Sequence, residues 1–63
     1  MGDDYGDLQR RLEVIAEEIA DLAFNQLRAG VENDDKDSVA EERRLTRARR
    51  AVEKAVHLLS GSG

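Results

Sequence analysis

Cysteine, proline and tryptophan are absent from this 63-residue chain, and histidine, tyrosine and phenylalanine occur once each. Without cysteine the chain has no disulfide framework and no thiolate metal ligand, and a single histidine leaves too few ligands for a zinc site. We therefore expect no metal and no other cofactor. The absence of cysteine agrees with a reducing compartment. No apolar run approaches the roughly 20 residues that span a bilayer, so we expect a cytoplasmic protein without membrane contact.

The apolar residues make up 40% of the chain, but about a third of them are alanine and only Tyr5 and Phe24 are aromatic, so few of them are large. A chain this short forms one domain at most, and it usually needs a disulfide, a metal, regular helix packing or a partner subunit to be stable. Since the first two are excluded by composition, stability has to come from packing and association. The sequence therefore predicts a single domain over residues 1–63 that associates with another chain.

Apolar residues between positions 7 and 29 recur at spacings of three and four, which predicts an amphipathic first helix over about these residues. Alanines beside this pattern widen the apolar face, so the helix is expected to contact more than one neighbour. Tyr5 extends the pattern by one step before the helix, and Leu27 widens the face together with the alanines. The large apolar residues of the face are therefore Tyr5, Leu8, Leu12, Ile15, Ile19, Leu22 and Leu27.

Gly30 predicts the end of the first helix, because glycine is the common residue after a helix C-terminus. An acidic loop over residues 30–38 is expected to follow. Ser38 and Glu41 have the spacing of a capping box, which predicts a second helix over about 39–59. A flexible tail is expected over 60–63. The large apolar residues predicted to face inward from the second helix are Leu45, Val52, Val56 and Leu59.

Two helices joined by a short connection and free of proline predict an all-α fold, an antiparallel hairpin. One hairpin leaves an apolar flank uncovered. Two hairpins related by a two-fold axis would cover it as a four-helix bundle, so a homodimer is the expected state. A tetramer and pairing with a different protein remain alternatives. The predicted oligomer interface is formed by the large apolar residues of both helices named above.

Charge is distributed unevenly along the chain. Residues 1–42 contain thirteen acidic and four basic side chains, whereas residues 43–63 contain six basic and one acidic. Four cations of the second helix fall on one stripe at spacings of four, three and four, and we call this stripe the basic ridge. It either binds an external anion such as a nucleic-acid phosphate or pairs with carboxylates of the same assembly. The ridge consists of Arg43, Arg47, Arg50 and Lys54.

The acidic loop is a poor match to a calcium loop, because Ser38 replaces the turn glycine and Arg44 replaces the bidentate glutamate at the twelfth position. The serines offer no oxyanion hole or glycine-rich phosphate loop around them. We therefore expect no catalytic residue and no enzymatic activity.

Binding is the mode of action that the sequence favours. The leading hypothesis is a small interaction or regulatory module that self-associates through its apolar helix faces. One alternative is binding of nucleic acid or another polyanion by the basic ridge, which the missing aromatic residues disfavour for single strands. Another is an accessory subunit of a larger enzyme complex, docked as a helix in a groove.

Overall fold

The computed structural model describes residues 5–61, which contain two helices and no strand. Helix α1 is Gly6–Asn33, with 28 residues, and helix α2 is Lys36–Leu59, with 24 residues. The two helices pack against each other along their length. This confirms the predicted all-α helical hairpin. Of the predicted tail, Ser62 and Gly63 lie outside the described residues.

The connection between the helices is much shorter than predicted. The predicted loop over 30–38 is wrong, because α1 continues through Gly30 to Asn33 and only Asp34 and Asp35 separate it from α2. Asp34 adopts the left-handed conformation (φ 52°, ψ 47°) that ends α1, and aspartate tolerates this conformation better than most residues. The backbone N–H of Asp35 donates to the Gly30 carbonyl oxygen at 3.1 Å, so the turn satisfies backbone groups left over at the helix end.

The predicted capping box is also wrong. Asp35, not Ser38, is the N-cap of α2, and its Oδ1 accepts a hydrogen bond from the Asp37 N–H at 3.0 Å. Ser38 lies inside the helix and donates its hydroxyl proton to Asp35 Oδ2 at 3.0 Å. Asp and Ser are similarly good N-caps. The earlier of the two begins the helix, which lengthens α2 by one turn.

Small residues, not large ones, form the line along which α1 approaches α2. The three buried residues of α1 are Ala16, Ala23 and Gly30, which follow one another at intervals of seven. Helix α2 has no buried residue. Because small side chains let two helix axes come close, the hairpin forms along this line, and Leu8, Ile15 and Leu22 of α1 lie exposed to one side of it.

The hairpin is long and thin, with extents of 52 × 17 × 12 Å and a radius of gyration of 14.7 Å. A compact domain of this length would have a radius of gyration of about 11 Å. Its accessible surface is 4925 Å², against about 4000 Å² expected for a folded monomer of 7.0 kDa. The single hairpin therefore has almost no interior, and its surface exceeds that of a typical small protein by about 900 Å².

Candidate interaction surfaces

Large apolar side chains of α1 lie exposed on one side of the hairpin. Leu8, Ile15 and Leu22 recur every seven residues, and 40%, 42% and 54% of each, respectively, is accessible to solvent. Heptad spacing keeps all three on one stripe of the helix. These three residues belong to the apolar face that the sequence pattern predicts, yet in the single hairpin they remain exposed to solvent.

The register of the hairpin follows from two contacts. Gln9 Nε2 donates to the Val56 carbonyl oxygen at 3.2 Å, and Gly30 lies against Val39 near the turn. In an antiparallel pair each step forward along α1 is a step back along α2. The two contacts therefore place Ile15 about level with Val52.

Helical geometry places a flank of small residues from α2 beside the exposed stripe of α1. At 3.6 residues per turn, Ala48 and Ala55 point to the same side of the hairpin as Ile15. Ala48 is exposed and Ala55 is half-buried. We call this surface the apolar side, and it consists of Leu8, Ile15 and Leu22 of α1 with Ala48 and Ala55 of α2.

The other predicted interface residues divide into two groups. Half-buried between the helices are Leu12, Ile19, Leu45, Val52, Val56 and Leu59. Tyr5, which precedes α1, is 46% exposed, and Leu27 is 42% exposed. The sequence therefore located the apolar face of each helix, and the structure separates residues that hold the hairpin together from residues left open beside it.

The opposite side of the hairpin carries an open groove of about 730 Å³. Arg10, Glu13 and Glu17 line it from α1, and Arg49, Glu53 and His57 line it from α2. Arg49 Nε is buried without a hydrogen-bond partner and lies 3.9 Å from Glu53 Oε2. Cations and carboxylates alternate here, so the groove has no strong preference for an ion of either sign.

The basic ridge lies on the outer face of α2, where all four of its side chains are exposed. Two carboxylates of α2 near the ridge have other partners: Glu42 Oε2 accepts from Thr46 Oγ1 at 2.8 Å, and Glu53 Oε2 lies 3.9 Å from Arg49 Nε. The ion pairs within residues 5–61 use Arg11, Arg28, Arg44 and Arg49. None of the ridge cations is among them, so the ridge presents unneutralised positive charge.

Phe24 is 59% exposed, and helical spacing places it on a different face of α1 from the apolar side. The Arg28 guanidinium carbon is 6.0 Å from its ring centroid. That distance is at the limit of a cation–π contact. Phe24 thus has a partner on its own helix.

Metal ligands do not converge in the described part of the chain, since no group of three His, Asp or Glu side chains within residues 5–61 could hold an ion. In the same range neither helix has the length and apolar content needed to cross a membrane.

His57 lies in the last turn of α2, where a cation is favoured by the helix dipole.

Two residues that position the helices were missed from the sequence. Gln9 is polar and falls outside the pattern of large apolar residues, although it lies one turn before Leu12 on the contact face. Gly30 was assigned to a helix end because of its residue type. The interval of seven from Ala16 through Ala23 to Gly30 was the signal that could have identified its role.

Comparison with known proteins found no similarity from which a function follows: no protein family, no curated protein and no solved structure matches this chain.

Proposed function

We propose that this chain is a non-enzymatic, cytoplasmic interaction module that works by associating with itself through the apolar side. The observation that carries the proposal is the exposure of Leu8, Ile15 and Leu22, three large side chains in one heptad stripe, beside a helix pair that buries only alanine and glycine. Scattered exposed apolar residues are ordinary, but an aligned stripe is typical of an interface.

The surface area supports the same proposal. A stable interface buries about 800 Å² from each partner. The hairpin exposes about 900 Å² more surface than a typical monomer of its mass. Association of two hairpins would remove an excess of this size and give the assembly an interior that the single hairpin lacks.

Substitution of Ile15 tests the proposal against a matched neighbour. Ile15→Asp puts a carboxylate into the proposed interface, where its desolvation costs about 3 kcal/mol or more. Val14→Asp makes the same chemical change on the adjacent residue, which is 54% exposed and points away from the apolar side. Both variants carry the same charge and the same loss of helix propensity.

Sedimentation equilibrium should show Val14→Asp associating as the unchanged chain does. We expect the dissociation constant of Ile15→Asp to rise by about a hundredfold or more. Equal behaviour of the two variants would refute the apolar side as the interface.

A second candidate function is binding of a polyanion such as nucleic acid by the basic ridge. The observation that favours it is that Arg43, Arg47, Arg50 and Lys54 are all exposed and take part in none of the ion pairs found within residues 5–61. Arginine binds phosphate in a bidentate manner, and several cations on one stripe could contact successive phosphates. Self-association would present the ridge twice.

A further inference from the structure

We infer that the two copies pack with α1 of each hairpin against α2 of the other, around a two-fold axis parallel to the helices. This inference rests on the proposed self-association and specifies its geometry. Two hairpins that bury their apolar sides have two symmetric choices. In the first, α1 lies on the partner's α2; in the second, α1 lies on the partner's α1 and α2 on the partner's α2.

Helix charge distinguishes the two arrangements. Helix α1 contains six acidic and three basic side chains, whereas α2 contains four acidic and seven basic. The first arrangement places each helix beside two helices of opposite net charge. The second places like-charged helices side by side, which is unfavourable across an interface. Charge therefore favours α1 against the partner's α2.

Side-chain size favours the same arrangement. Around the level of Ile15 the apolar side has large residues on α1 and alanines on α2, whereas Leu58, which is 58% exposed, lies on the same side of α2 near its C-terminal end. Large residues pack best against small ones, because the layers then interdigitate. In the second arrangement large side chains would face large ones along α1, and the alanines of the two α2 helices would face each other across a gap.

Symmetry then fixes the level of each contact. A two-fold axis parallel to the helices moves no residue along the helix direction, so Ile15 is level with the partner's Val52 just as it is level with its own. At that level Ile15 lies between the partner's Ala48 and the partner's Ala55, as a knob in a hole of small residues.

One ion pair follows at the edge of this contact. Glu18, one turn after Ile15, is level with the partner's Arg49 and faces the partner's Arg47 on the outer flank. Neither Glu18 nor Arg47 forms an ion pair within the described hairpin. Arg47 is the ridge residue nearest the apolar side, so the pair would leave Arg43, Arg50 and Lys54 facing outward.

Disulfide cross-linking between introduced cysteines tests the arrangement. Because the chain contains no cysteine of its own, any disulfide that forms joins the introduced residues. Ile15→Cys and Ala55→Cys are prepared as separate chains, and light scattering of each reduced variant first establishes that it associates. Each is then oxidised alone and as an equimolar mixture after subunit exchange. The readout is the fraction migrating at twice the 7.0 kDa mass of one chain on a non-reducing gel.

We expect a covalent dimer from the mixture and little from either variant alone. A covalent dimer from Ile15→Cys alone would mean that α1 packs on the partner's α1, and would overturn the inference. Associated variants that never cross-link, alone or mixed, would overturn it as well. Monomeric chains, with the unchanged chain also monomeric, would instead refute the proposed function on which the inference rests.

A charge swap on exposed residues provides a second test that does not alter the apolar side. Glu18→Arg and Arg47→Glu should each raise the dissociation constant by about threefold, the usual size of a surface ion pair. The double variant should recover the original value, because the pair is restored with its charges exchanged. Losses that simply multiply in the double variant would contradict the arrangement.

Discussion

Gly30 determines how closely the two helices approach beside the turn. A Cβ atom at this position would lie 2.7 Å from Val39 Cγ2 and 3.3 Å from the Asp35 carbonyl oxygen. Glycine inside a helix is unfavourable by about 1 kcal/mol relative to alanine. Glycine suits this position despite its lower helix propensity, because a Cβ atom here would clash with Val39 at the start of α2.

Gly30→Ala is therefore expected to destabilise the protein by about 1 kcal/mol, since overpacking against a stiff valine outweighs the gain in helix propensity. In a Val39→Ala background the obstructing methyl group is gone, and the same change should become about neutral or stabilising. Urea unfolding at one fixed protein concentration measures both effects. A stabilising Gly30→Ala in the presence of Val39 would disprove the close approach.

At the scale of the helices, each face has a separate task. The contact face of α1 packs against α2, the apolar side is exposed to solvent, and the outer face of α2 carries the basic ridge. Because of this separation, substitution of Arg43 and Arg50 on the outer face of α2 leaves the residues of the apolar side unchanged. The separation also accounts for the width of the apolar face of α1, which the alanines extend beyond the pattern of large residues.

The basic ridge gives a prediction that belongs to α2 alone. If its outward-facing cations Arg43, Arg50 and Lys54 contact phosphates, duplex DNA should bind at low salt, and the affinity should fall about fortyfold between 50 and 200 mM salt for three phosphate contacts. Arg43→Glu with Arg50→Glu should abolish binding in an electrophoretic shift titration. The matched control, Arg11→Glu with Arg28→Glu on α1, has the same net charge and should retain most of it.

Absence of binding by the unchanged chain at low salt, where electrostatic attraction is strongest, would eliminate the second candidate function. Equal losses in the two double variants would show that net charge, rather than the ridge, governs binding.

The elements also show what the sequence can and cannot predict. Helical periodicity was sufficient for two antiparallel helices and for their apolar faces. The prediction of the turn was wrong for two reasons. Asp35 and Ser38 are both good N-cap residues, so the sequence does not decide between them. Gly30 also has the residue type of a helix end, and only its contact with Val39 shows that it lies inside α1. Helical periodicity could not divide the apolar face either, since only the packing of Ala16 and Ala23 against α2 decides that Ile15 remains outside.

At the scale of the whole molecule, the hairpin buries very few side chains, and this affects its expected stability. Ala16 and Ala23 are the buried apolar side chains of the hairpin, at 6% and 7% exposure. For a chain with so small a core, the free energy gained by apolar burial is expected to be about equal to the conformational entropy lost on folding, which leaves little net stability. If the proposed self-association occurs, stability and association are expected to be coupled, as they are in obligate dimers.

The most direct test of this account is the solution mass, measured by light scattering over a wide concentration range with helicity recorded by circular dichroism on the same samples. We predict a helical dimer whose thermal midpoint rises with protein concentration, and loss of helicity as dilution produces monomer. A fully helical monomer at every concentration, with a constant thermal midpoint, would contradict the account, because the hairpin would then be stable without its apolar side covered.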